Sequence, residues 1–195
     1  MTRSDFTAGA EAQHRLRRVL AAFRSIAAFM ARDDASPASL RLAGRIGAIS
    51  RVALASADGG IDLEALVLDE LLACATPRAR YRVEGSDIRL SGKAAQLMGL
   101  ALHELAANSL QYGALSQTAA DLSIEWRLSE EKLVLCWTES KVRMAMGKRT
   151  AGFGSELVQR RFASELKGSG EMVFSIDGMR CTIAVPLSEA LHQNE

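Results

Sequence analysis

Two amphipathic helical stretches in immediate succession constrain this chain more than any other feature of it. From Glu11 to Arg32 the apolar residues Leu16, Val19, Leu20, Phe23, Ile26, Ala27 and Met30 recur with helical period. They form one stripe on a helix of about six turns. Asp33-Asp34-Ala35-Ser36-Pro37 interrupts the pattern. Ser36 as N-cap with Pro37 at the first helical position starts a second helix, on which Leu42, Ile46, Ile49 and Ala53 repeat at alternating spacings of four and three. The short connection makes the two helices an antiparallel hairpin. One hairpin has too little apolar surface to bury by itself, so pairing with a second copy in a four-helix bundle, a homodimer, is expected.

After Asp58-Gly59-Gly60 the arginine-rich two-helix pattern gives way to mixed helices and strands, which places a domain boundary there: residues 1–60, then 61–195. Asp62 caps a helix through about Ala75, Arg80 to Glu84 and Ile88 to Leu90 read as short strands, and Lys93 to Tyr112 reads as a long helix. Leu122 to Leu128 and Lys132 to Glu139 are strands, followed by an irregular stretch from Ser140 to Gly154. Ser155 to Leu166 returns to helix, and Met172 to Ile176 pairs with Cys181 to Val185 across Asp177-Gly178. Few strict β-α repeats occur, so the second part is predicted to be a mixed sheet under helices, and the whole an α + α/β protein.

With 195 residues, 48% of them hydrophobic, the chain has enough apolar content for a real core, which excludes disordered and fibrous classes. The formal charge of +1 gives no global argument for nucleic acid. It is unevenly spread, since the first 60 residues hold nine arginines against five acids. Cys74, Cys136 and Cys181 lie in apolar stretches without pairing-like spacing or nearby histidines, so neither a disulfide framework nor a zinc site is expected. No run has signal-peptide or membrane-span character, and the chain reads as cytoplasmic with no membrane insertion.

On the first helix, at about 100° per residue, His14 lies roughly opposite the mean direction of the apolar stripe and is expected to face solvent. Arg18 shares that face and Arg15 and Arg17 flank it, so a phosphoryl group on the imidazole would sit among cationic donors. An exposed histidine on a solvated arginine-rich face equally fits the same positions.

The run His103-Glu104-Leu105-Ala106-Ala107-Asn108 through Tyr112-Gly113-Ala114-Leu115-Ser116, then Trp137-Thr138-Glu139, then Gly152-Phe153-Gly154-Ser155, resembles the HWE family of bacterial sensor histidine kinases. Upstream, EAQHRLRRVLAAFRSIA is similar to the family's phospho-acceptor box, with His14 at the accepting position. The resemblance runs from about residue 11 to residue 187. It implies a dimerising, phosphotransferring hairpin followed by a GHKL or Bergerat-type α/β sandwich that binds ATP and Mg²⁺. Carried over to this chain, it makes Asn108 the Mg²⁺ ligand, a hard oxygen for a hard cation. It makes Glu139 the acceptor for the adenine amino group and Trp137 its packing support. Gly152 and Gly154, opening a helix, and Lys148 become phosphate contacts. It gives Glu104 a role in orienting or deprotonating His14, and His103 a role in supporting the nucleotide or that glutamate.

Three departures from the family pattern fall on this chemistry. Lys141-Val142-Arg143 stands where the family has a Gly-Gly-Pro type turn, and β-branched Val142 resists a positive φ. Gln111 replaces a lysine that contacts phosphate, exchanging a charge-assisted donor for a neutral one. Arg18 replaces an asparagine beside the accepting histidine. Thirteen residues precede His14, so a signal is expected through a partner, an upstream sensor kinase or receiver, if one is sensed at all. Three readings follow. One is a histidine phosphotransferase that passes phosphate from His14 to an aspartate of a response-regulator receiver domain, with a partly degenerate nucleotide domain. Another is an active, sensorless kinase that phosphorylates His14 from Mg-ATP. The last is a non-catalytic module that binds a response regulator. In each the arginine-rich hairpin is the partner surface, with Arg15, Arg17 and Arg24 steering an acidic receiver.

Overall fold

The computed structural model describes residues 3–33, 36–55, 60–74, 79–143 and 153–192. Helix α1 (Arg3–Asp33) and helix α2 (Pro37–Ala55) form the expected hairpin. Ser36 Oγ accepts from the Ser39 amide at 3.3 Å, the N-cap geometry that the sequence called for. Helix α1 starts well before Glu11, because no proline separates the early residues from the stripe. The α1 face is split. Ala27 and Ala31 are buried, whereas Val19, Phe23, Ile26 and Met30 are at least half exposed, and Leu42 and Ile49 of α2 are also exposed.

Gly60, with φ +84, takes the chain out of the hairpin in a conformation that favours glycine. Strand β1 (Ile61–Asp62) follows and pairs antiparallel with β3 (Arg89–Leu90). Between them lie helix α3 (Leu63–Cys74) and strand β2 (Tyr81–Gly85). Asp62 Oδ1 caps α3 by accepting from the Ala65 amide at 2.8 Å. Helix α4 (Gly92–Tyr112) is capped by Ser91, whose Oγ accepts from the Ala94 amide at 3.2 Å and donates to the Glu189 carbonyl at 2.9 Å. A 3₁₀ turn (Ala114–Ser116) leads to the long hairpin of β4 (Asp121–Ser129) and β5 (Lys132–Ser140). Then come α5 (Phe153–Glu156), a π-helical turn (Leu157–Arg161), α6 (Phe162–Leu166), β6 (Ser169–Ser175), β7 (Gly178–Pro186) and α7 (Leu187–Ala190).

The main sheet has the order β2-β4-β5-β7-β6, with β2 parallel to β4 and every other pair antiparallel. This is the mixed sheet expected from the scarcity of strict β-α repeats. Alternation along the strands puts Leu122, Ile124 and Trp126, then Leu133, Leu135 and Trp137, then Cys181, Ile183 and Val185, on one buried face. Leu97, Leu102 and Leu105 of α4, with Leu157, Phe162 and Leu166 of the last helical segment, belong to the same core. Helix α2 then packs on α4, so the hairpin forms a further layer behind the helices. Among the described residues no helix is long and apolar enough to cross a membrane.

Candidate functional site

Helix α4 carries the chemistry-bearing run because it is amphipathic twice over. One face meets the sheet, and another meets α2 through Gly99, whose position lies so close to Val52 that a Cβ there would sit 2.9 Å from Cγ2 of that valine. Gly44 does the reverse, since a Cβ on it would come within 2.5 Å of His103 Nε2. These close approaches bring two arginines of α2 onto two successive residues of α4 or their support. Arg45 grips Glu104 with two hydrogen bonds, Nε to Oε1 at 2.6 Å and Nη2 to Oε2 at 3.1 Å. Such a two-pronged pair fixes orientation as well as charge. Arg51 Nε donates to Glu70 Oε1 at 3.2 Å with its Nη2 on the same oxygen, and Glu70 Oε2 lies 3.1 Å from His103 Nδ1. Glu70, His103 and Glu104 are all buried, and among the described residues no buried side-chain nitrogen or oxygen lacks a partner.

The other carboxylate of interest, Glu139, ends β5 on its buried face. Its Oε1 accepts from Trp137 Nε1 at 3.0 Å and its Oε2 accepts from the Ala114 amide at 2.9 Å. Gly113 makes this possible, because a Cβ there would sit 2.0 Å from Glu139 Oε2. Trp137 is itself buried. After Ser140 the positive φ falls on Lys141 (φ 58), while Val142 is buried and its amide donates to the Asp177 carbonyl at 2.7 Å. The β-branched residue thus avoids the strained position, and the unbranched lysine takes it. Lys141 Nζ reaches Asp121 Oδ2 at 2.6 Å. That hydrogen bond, with Arg80 close by, holds the Asp121 carboxyl below its ordinary range.

The structure brings Glu104, Asn108 and Gly154 together: a Cβ on Gly154 would lie 3.2 Å from Glu104 Cβ and 3.5 Å from Asn108 Nδ2. Asn108 and Gln111 are exposed on α4, as is Arg18 on α1. His103 Nδ1 lies 3.1 Å from Glu70 Oε2, under α2. His14 and Arg15 lie on α1, and their side chains fall outside the described residues, as do those of Arg17 and the whole of Lys148 and Gly152. Burial pushes the Cys181 thiol up to about 12, so it stays protonated and inert, and Cys74 and Cys136 are free and half-buried. Among the described residues no cluster of His, Cys, Asp or Glu has the make-up of a metal site.

Sequence reasoning missed Arg45, Arg51 and Glu70. A signal was present, because Gly44, Ala48 and Val52 recur every four residues on the side of α2 away from Leu42 and Ile49. Small residues in that pattern mark a face built for close helix approach.

Comparison with known proteins places residues 11–87 in a match to the HWE histidine kinase family model. Blue-light-activated histidine kinase 1 of Erythrobacter litoralis is 29% identical over 191 residues, 92% of this chain and 53% of that protein. The blue-light-activated histidine kinase of Rhizobium johnstonii is 31% identical over 181 residues, 90% of this chain and 52% of that one. The chain therefore spans about half the length of these curated relatives. Among solved structures, the histidine kinase domain of the Erythrobacter litoralis EL346 blue-light activated histidine kinase superposes with a TM-score of 0.64 at 18% identity, covering 92% of this chain and 91% of that one. The catalytic domain of histidine kinase ThkA superposes with a TM-score of 0.52 at 12% identity, over 65% of this chain and 93% of that one. Both superpositions report the fold: helices over a mixed sheet of the histidine kinase catalytic type.

Proposed function

Because the chain belongs to the HWE histidine kinase family, we propose that it carries a phosphoryl group on His14 and exchanges it with an aspartate of a response-regulator receiver domain. Residues 1–60 act as the dimerising and phosphotransfer hairpin, and residues 61–195 as a nucleotide-type domain. In the transfer a neutral imidazole nitrogen of His14 attacks the phosphorus of an aspartyl phosphate. The new P–N bond forms as the P–O bond to the aspartate breaks, and the carboxylate leaves with the electron pair; the reverse step delivers the phosphate to a receiver.

The observation that carries the phosphotransferase reading is the state of Glu139. A carboxylate that takes an adenine amino group must present an oxygen to the cleft. Here one oxygen accepts from Trp137 and the other from Ala114, which leaves each a second lone pair, but the residue is buried and presents neither oxygen to solvent. The burial of Glu139, with Gln111 in place of a cation for phosphate, supports the reading without ATP. Asn108, exposed beside Gly154, retains a hard oxygen for Mg²⁺.

A second reading, an active kinase that phosphorylates His14 from Mg-ATP, is favoured by the convergence of Glu104, Asn108 and Gly154, and the similar proteins are named kinases. Incubation with Mg²⁺ and γ-labelled ATP, scored for acid-labile label, separates the two. The phosphotransferase reading expects no label from ATP, together with label on His14 from a receiver domain charged with labelled acetyl phosphate and none on His14→Ala. ATP-derived label that disappears in both His14→Ala and Asn108→Ala establishes the kinase instead.

A further inference from the structure

Arg45 and Arg51 stand six residues apart on α2, and between them they hold both members of the His103-Glu104 pair, Glu104 directly and His103 through Glu70. Gly44 seats against His103 and Val52 against Gly99, so α4 runs antiparallel to α2 and Asn108 lies toward the turn of the hairpin. Position 14 is on the other arm, nineteen residues before the end of α1 at Asp33, whereas Arg45 is eight residues past the start of α2 at Pro37. At 1.5 Å of rise per residue, the level of His14 is about 16 Å further from the turn than the level of Glu104. With both oxygens of Glu104 committed to Arg45, the α4 carboxylate is removed from the acceptor by charge pairing and by distance together.

We infer that Arg45 and Arg51 are positioning residues forming a latch that holds α4 against α2 with Glu104 short of the level of His14, so that a receiver domain, and not the α4 carboxylate, reaches the acceptor. Rotation of α2 about its axis displaces both arginines at once, because they ride on one rigid helix, so the latch releases as a unit. The inference rests on the reading of His14 as phosphoryl carrier for its purpose, but not for its structure.

Hydrogen–deuterium exchange on the whole protein tests the structure first. Arg45→Ala is expected to speed exchange of the α2 amides from Gly44 to Val52 by about tenfold, with β4, β5 and β7 unchanged. Pairing Arg45→Glu with Glu104→Arg is expected to restore protection that Arg45→Glu alone removes. Unchanged exchange in Arg45→Ala, or a rise that includes the sheet, overturns the latch. The second arm loads His14 from an isolated receiver domain charged with acetyl phosphate. A released domain competes for the His14 end, so Arg45→Ala is expected to raise the KM for receiver several-fold at unchanged kcat, a split that general loosening does not produce. Equal KM and kcat in Arg45→Ala and the parent overturn the proposed purpose. A latch that opens and is rescued by the swap, in proteins of which none accepts phosphate on His14, overturns the phosphoryl-carrier reading while the latch stands.

Discussion

Glu139 shows how one side chain constrains its neighbours. Its carboxylate is buried between the indole of Trp137 and the amide of Ala114, and it comes so close to position 113 that only hydrogen fits there. Gly113→Ala drives a methyl group into that oxygen. Either Glu139 moves and loses both hydrogen bonds while still buried, or α4 shifts. Each route is expected to cost about 2–3 kcal/mol, read as a lower thermal or denaturant midpoint, with a smaller loss for Glu139→Gln, which keeps the shape and one good acceptor. At this scale the sequence was partly legible. His103, Glu104, Asn108, Trp137 and Glu139 stood out because they fall in short ordered strings. Arg45, Arg51 and Glu70 did not, since a pairing between residues 59 or 19 positions apart leaves no periodic trace in the chain. What Glu139 touches was equally invisible, because its amide partner belongs to a different element.

The elements themselves were readable wherever local signals agreed. Ser36, Asp62 and Ser91 each cap the helix that follows them, and the alternation of β4, β5 and β7 settles which face meets the core. The π-helical turn from Leu157 to Arg161 had no such marker, being one extra residue in an otherwise ordinary helical pattern. The turn after β5 was anticipated only as altered. The strained φ falls on Lys141, whose ammonium then reaches Asp121 on the neighbouring strand. A carboxyl held below its ordinary value contributes stability that is complete above the unfolded-state pKa and fades as pH falls through the folded value. Lys141→Ala is therefore expected to move the Asp121 titration, followed by carboxyl NMR, back toward the ordinary carboxylate range and to flatten the acid limb of stability. Lys141→Val is expected to destabilise further at every pH, because a β-branched residue tolerates φ near +58 poorly.

Across the whole molecule three layers follow one another: the sheet, the helices α3 to α6 on its buried face, and the hairpin behind them. Each layer buries what the previous one offers, and the series stops at an apolar face that none of the described residues covers. Val19, Phe23, Ile26 and Met30 recur along α1 at spacings of four, three and four, and Leu42 and Ile49 add the matching row on α2. The residues that pack α1 on α2, Ala27 and Ala31, are small, whereas those turned outward are large, an economy that makes sense only if the large ones meet something. A second copy would present the same rows and would close a four-helix bundle with its core made of these side chains. Phe23→Glu with Ile49→Glu puts two carboxylates per chain, four per bundle, into that seam. The protein is then expected to sediment as a monomer with its sheet and the Arg45–Glu104 pair intact, while the parent sediments as a dimer. A parent chain that is monomeric at tens of micromolar rules out the bundle, and the exposed rows then belong to a heterologous partner.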